Sequence, residues 1–148
     1  MFPVAHAHQR ELEIVEPVEQ PVLAHAGAEA RVKAIQRHER ITAGEVRDIA
    51  VSREENGRWS PPRIVSADSW EHRACPVNGP ALVADGRRVD LVWFTGAGGQ
   101  NRVWLVRSSD AALTFGSRIR IDEGQTLGRV DAEPQGDGSL MVAWLEGS

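Results

Sequence analysis

Between Gly79 and Ile121 the chain falls into four short alternating runs separated by tight-turn residues. No other stretch limits the possible folds as strongly. Pro80 to Ala84 is the first run, and Asp85-Gly86 turns the chain into the second, Val89 to Phe94. Gly96-Ala97-Gly98-Gly99 leads to the third, Arg102 to Ser108. A polar loop leads to the fourth, Ser117 to Ile121. Runs of this length bounded by Gly and Asp-Gly are strand and hairpin signals. They predict one four-stranded antiparallel sheet.

The unit repeats. Val89, Leu91 and Trp93 alternate along one face of the second strand, and Leu140, Val142 and Trp144 do the same, each 51 positions later. Asp-Gly precedes both runs, at Asp85-Gly86 and Asp137-Gly138. In the other direction Ile49, Ser52 and Trp59 stand 56 positions before Leu105, Ser108 and Phe115. Period 2 puts alternate apolar residues on one side of a sheet, and a sequence period of about 50 marks a propeller or solenoid. The expected fold is all-β, a partial β-propeller of about two to three four-stranded antiparallel blades. Residues 41–66 form a partial blade, 79–121 a full one and 128–146 a half. A β-sandwich could share the strand spacing but does not require the repeated Trp and Asp-Gly.

Residues 1–40 are harder to read. Met1 to Gln9 is expected to be a frayed terminus. Glu11 to Val15 alternates weakly, and Glu16-Pro17 to Pro21 is a Pro-bounded linker. Ala28 to Arg40 reads equally as helix, from its Ala, Arg, Lys, Gln and Glu, or as strand, from its place in the repeat. His6, His8, His25 and His38 all fall in this region. His-x-His could hold a metal if both rings shared a face, but no carboxylate or cysteine stands beside them at ligand spacing, so no metal site is expected. A metal-binding periplasmic role is the weakest of the three functional options. Val46 to Ser52 and Pro62 to Ser66 are outer strands of the partial blade, and Pro61-Pro62 suits an edge.

Ser108-Ser109-Asp110-Ala111-Ala112-Leu113-Thr114-Phe115 resembles the Asp-box of sialidase-like (BNR-repeat) propellers, Ser-x-Asp-x-Gly-x-Thr-Trp/Phe, with Ala112 where Gly is usual. Ser52 to Trp59 is similar to a decayed copy, with Glu54 and Arg58 in the Asp and Thr positions. Trp70, Cys75-Pro76-Val77-Asn78-Gly79-Pro80 and Leu127-Gly128-Arg129-Val130-Asp131 resemble the bacterial exo-α-sialidase-like branch. The likeness spans Arg40 to the C-terminus. It implies a glycan as ligand, an exported protein, and a structural role for Ser108, Asp110, Thr114 and Phe115 on the rim away from the substrate face. Trp59 and Phe115 are then expected to plug the space between sheets. Trp93 and Trp144 are core on alternation alone.

The same likeness sets a chemical test. Sialidases use a tyrosine nucleophile, and this chain contains no tyrosine. No arginine falls in a motif that matches the cluster gripping the substrate carboxylate. No catalytic residue is therefore assigned. Propeller topology instead gathers Ala67 to Asn78, Thr95 to Asn101 and Glu123 to Gly128 at one mouth. Ala67 to Asn78 is the longest connection, carrying Asp68, Trp70, Glu71, His72, Arg73 and Cys75. Trp70, Glu71, His72, Arg73, Arg129 and Asp131 are the ligand-binding candidates: Trp stacks on sugars, and Arg grips acidic groups. The plainer alternative is a polar rim with Trp70 packed under its loop. Cys75 reads as a small buried filler rather than a nucleophile; one cysteine forms no internal disulfide.

A closed propeller has at least four blades, and 148 residues supply about three at most. The open edges then call for the remaining blades or a homo-oligomer. A segment of a longer protein is the favoured expectation. A formal charge of −4 argues against nucleic acid as a general partner. No apolar run approaches a membrane span, no signal peptide is evident, and no cofactor is expected. Two functions compete: a sialidase-family segment that binds or cleaves glycans only within a complete ring, and a non-catalytic protein-interaction scaffold.

Overall fold

The computed structural model describes residues 22–26, 30–41, 44–72 and 79–147, with side chains for 31–34, 46–72 and 79–147. These residues are all-β. The first sheet contains β1 (Val22–Ala26), β2 (Ala30–Ile41), β3 (Gly44–Glu55), β4 (Arg58–Trp59) and β5 (Arg63–His72). The strands run in the order β1-β2-β3, and β4 and β5 share the remaining edge of β3. The second sheet is β6 (Ala81–Asp85), β7 (Arg88–Thr95), β8 (Arg102–Ser108) and β9 (Ile119–Arg120), in that order. The third is the hairpin of β10 (Thr126–Pro134) and β11 (Leu140–Glu146). Every pairing among them is antiparallel.

The three sheets stack face to face around the second. One core lies between the first and second sheets, where Val32, Ile49 and Val51 meet Leu82, Val89, Leu91, Trp93 and Val106. The other lies on the opposite face of the second sheet. There Ala81, Val92, Phe94 and Val103 meet Val130, Ala132, Leu140, Val142 and Trp144. Period 2 divides β7 between the two cores, so Val89 to Thr95 is buried without interruption. A strand covered on both faces reads as a continuous apolar run, and Asp90 is the one charged residue within it. Trp93 and Trp144 both sit on the second strand after an Asp-Gly turn, as the 51-residue repeat requires. The far side of the hairpin is left open, with Leu127, Met141 and Leu145 each at least half exposed.

The four strands of the 79–121 unit appear in order, with limits shifted by one or two residues at three of them. Of Ala28 to Arg40, equally readable as helix or strand, the described residues are strand, part of β2. Eleven residues of β2 pair with β3 in an unbroken register from Arg31↔Glu54 to Ile41↔Gly44, and that ladder overrides the helix-favouring composition. Two expectations need correction. Ser52 to Trp59 is not a second copy of the Ser108–Phe115 turn. β3 runs on to Glu55, and Asn56 (φ 52°) and Gly57 (φ 76°) form a two-residue hairpin turn with both central residues left-handed, as type I′ geometry demands. Nor is Ala67 to Asn78 wholly a connection, because β5 continues to His72. It does so past an irregularity in its pairing with β3, where Ser69 adopts φ 50° and donates its N–H to Asp48 Oδ1 at 2.9 Å. Such an insertion re-aims the side chains beyond it.

Candidate functional site

The stack has two ends with different chemistry. At one lie the β6–β7 turn, the β10–β11 turn and Ser108 to Phe115. The Ala111 N–H donates to Arg87 O at 2.8 Å, and Arg88 Nη1 donates to Gly138 O. At the other end lie the tip of β5, the 95–101 loop with its 3-10 turn at Ala97–Gly99, and the segment before β10. Asn101 Nδ2 donates to Thr126 O at 2.9 Å and ties two of these segments together.

Ser108 to Phe115 closes on itself. Ser108 Oγ donates to Asp110 Oδ1 at 2.6 Å and accepts from the Ala112 N–H at 2.9 Å. Asp110 also accepts from the Thr114 N–H at 2.9 Å and from Thr114 Oγ1 at 2.6 Å. Bonds from Ser108 and then Thr114 hold the Asp110 carboxyl well below the usual carboxylate range. Ala111 (φ 59°) and Ala112 (φ 62°) are left-handed, which costs an L-residue about 1–2 kcal/mol. Both methyl groups are fully buried in the first core, so Gly at position 112 would relieve the backbone but forfeit about 0.8 kcal/mol of methyl burial. Phe115 packs against the same core, and Arg63 lies 6.0 Å from its ring centre and donates to Ala112 O at 2.9 Å. Trp59, expected to do the same, belongs to neither core among the described residues. Its ring lies under Lys33 at 4.3 Å and Arg31 at 5.6 Å.

All of Asp110's partners lie within its own turn, which gives it a folding role. Asp110→Ala is expected to lower the thermal midpoint while leaving the opposite end of the stack unchanged. Because the folded carboxyl titrates below the unfolded one, its contribution is complete above the unfolded value of about 3.9 and fades as pH falls through the folded one. The wild type should therefore lose stability on acidification below about pH 4 more steeply than Asp110→Ala. Parallel thermal melts across that range measure it.

At the opposite end the structure divides the sequence candidates. Trp70 is 9% exposed. Arg47 lies over its ring at 5.6 Å, Phe94 meets it edge-on at 5.5 Å and His72 lies 4.7 Å away. A side-chain carbon on Gly96 would come within 2.9 Å of the indole nitrogen, so glycine there lets the 95–101 loop close over Trp70. Trp70 thus packs under neighbouring structure, and its face is not presented to a sugar. Glu71 is exposed and His72 half-buried at the tip of β5. Arg129 (φ 55°) and Asp131 are exposed on β10, alternating with Val130 and Ala132, which point into the second core. Asp131 Oδ1 accepts from the Ala132 N–H at 2.9 Å. Trp70, Glu71 and His72 therefore gather on one strand tip, while Arg129 and Asp131 belong to a different sheet. Arg73 and Cys75 lie outside the described residues, as do His6 and His8 and the side chains of His25 and His38. Among the described residues no group of three or more His, Cys, Asp or Glu could hold a metal ion, and no helix is long and apolar enough to cross a membrane.

Two arginines at this end were missed in the sequence. Gly99, Gln100, Asn101, Arg102, Arg120 and Gly124 line a shallow cleft of about 390 Å³. Arg102 donates to Gln100 Oε1, and Arg120 Nη2 pairs with Asp122 at 2.8 Å. Burial opposes ionisation of Asp122, but the Arg120 pair and the Val103 N–H at 2.6 Å outweigh it and hold the carboxyl below its usual range. The signal was the position of both arginines at strand ends flanking the predicted mouth. Comparison with protein-family models, curated proteins and solved structures finds no match to this chain.

Proposed function

We propose that this chain is a segment of a sialidase-like β-propeller. In this reading the three sheets are successive blades, and ligand contacts lie at the end carrying the β5 tip, the 95–101 loop and the Arg102–Arg120 cleft. The segment cleaves glycans only as part of a complete ring; alone it is inactive and binds them weakly. The observation that carries the reading is the stacked pair of second strands. Trp93 and Trp144 are separated by one repeat, and each packs its alternating face against the preceding sheet. The self-contained Ser108–Phe115 turn at the opposite end supports it. The remaining blades or a second copy of the chain would cover the exposed side of the hairpin.

Chemistry argues for inactivity in isolation. Glycoside cleavage uses a placed acid and a nucleophile or activated water on opposite faces of the sugar. The sialidase nucleophile has no counterpart in a chain without tyrosine. The purified chain, assayed with a fluorogenic sialoside, is expected to give no turnover above background. Turnover abolished by Glu71→Gln or Asp131→Asn would overturn the reading. Titration with 3′-sialyllactose is expected to move backbone amide signals of residues 95–101 and 120–126. The burial of Trp70 favours a second reading, a non-catalytic protein-interaction scaffold, and an unchanged spectrum would select it.

A further inference from the structure

A second cleft lies at the end away from the proposed glycan contacts. It is an open cleft of about 750 Å³ between the β3–β4 turn, the segment leading into β5, and Ala112 and Leu113 of the Ser108–Phe115 turn. Arg53, Arg58 and Arg63 line it, against one carboxylate, Glu55. Three guanidinium groups on one concave surface run against the overall charge of −4.

Each arginine is placed differently. Arg63 is anchored by its bond to Ala112 O, which uses one of five N–H donors in a planar fork. Arg53 has a side chain only 12% exposed. It pairs with Glu55 through Nη1, while its buried Nε–H has no acceptor among the described residues. Arg58 is exposed at the turn, opposite Glu55 in the ladder. Trp59 forms another part of the wall; Lys33 lies over its ring, as does Arg31, which is paired with Glu54. A fixed guanidinium fork with donors to spare matches the paired oxygens of a carboxylate or a sulfate or phosphate group. With three arginines against one carboxylate the lining keeps an excess of positive charge, which concentrates anions.

We propose that this cleft is an anion-binding site for the oxyanion group of an acidic ligand, with Arg53, Arg58 and Arg63 as its donors. It is separate from the proposed glycan end and stands independently of that reading. All three donors belong to the first sheet, and Ala112 and Leu113 of the turn after β8 form the facing wall.

The test is titration of the full chain with sodium sulfate, sodium phosphate and sodium glucuronate. Sodium chloride at matched ionic strength is the reference. The Trp59 indole N–H and the arginine Nε–H signals report on the cleft. Saturable shifts are expected with at least one oxyanion and not with chloride. Preference for sulfate or phosphate assigns an ester-type ligand, and preference for glucuronate assigns a carboxylate ligand. Affinity should fall at least 10-fold in Arg58→Gln, whose exposed side chain is not needed for packing, and in Arg63→Lys, which keeps charge but loses the fork. Arg107→Gln, on the opposite face of the second sheet beside Asp90, should bind as wild type does. The Trp93 indole signal reports that each variant is folded. Absence of saturation with all three anions, or equal affinity in Arg58→Gln, Arg63→Lys and wild type, overturns the proposal.

Discussion

Replacing Trp93 by alanine is expected to destabilise the fold by about 4 kcal/mol, the range for removing a large aromatic from a packed core. Trp93 is 1% exposed at the centre of the first core. Its indole N–H donates to Asp68 Oδ2 at 2.8 Å, across the interface between the first two sheets. Asp68, with a side chain only 4% exposed, also accepts from Ser66 Oγ at 2.7 Å and lies 3.5 Å from Arg118, which covers the Trp104 ring at 4.4 Å. Trp93→Ala therefore opens a cavity and strips a nearly buried carboxylate of one donor. Trp93→Phe and Asp68→Ala separate the two effects. Each should cost about 2 kcal/mol, because a hydrogen bond to a charged group contributes about that much. The double mutant should cost less than the sum by about 1 kcal/mol or more. Urea unfolding of the four proteins measures the cycle, and strictly additive costs would refute the indole–carboxylate link.

The second large effect is expected at Asp90, on the other face of the same strand. Its side chain is 1% exposed and receives Arg107 Nε at 2.6 Å and Arg88 Nε at 3.0 Å. Arg88 also reaches the β10–β11 turn at Gly138 O. Asp90→Ala leaves two guanidinium groups without their shared acceptor. Breaking a fully buried pair costs about 3–5 kcal/mol. Arg107 is half exposed and can turn to water, so about 2–3 kcal/mol is expected here. Arg107→Gln should cost under about 1 kcal/mol for the same reason. Denaturant midpoints compare the two, and equal losses would show that Arg107, not Arg88, is what Asp90 holds.

The strands of the second sheet were legible because alternation and Asp-Gly turns are local signals. Val89, Leu91 and Trp93 declare their face without reference to anything distant. β2 was not legible as a strand. Its Ala, Arg, Lys, Gln and Glu favour helix locally, and only the ladder with β3 decides the matter. β5 was cut short in the reading because Ser69 interrupts the alternation, which placed Trp70 in a loop when it is a packing residue of the second core. The Ser108–Phe115 turn was readable from its own spacing. The pairing of Asp68 with Trp93 was not, because it spans 25 residues and two sheets. The arginines of the large cleft escaped for a similar reason. Arg53 and Arg58 flank one hairpin turn, but the opposite wall comes from residues 112–113, and no periodicity announces that meeting.

The continuous burial of Val89 to Thr95 has a mechanical consequence. A stack in which each layer rests mainly on its neighbours holds together as a sum of interfaces, much as a repeat protein does. The middle sheet shares fully in both interfaces, the third sheet in one, and the first reaches the second core through Trp70 alone among the described buried residues. Force or heat applied at either flank can therefore peel an outer layer while β7 keeps its cover on the other face. The ladder through β7 is the last part of the stack that such a sequence of losses would reach.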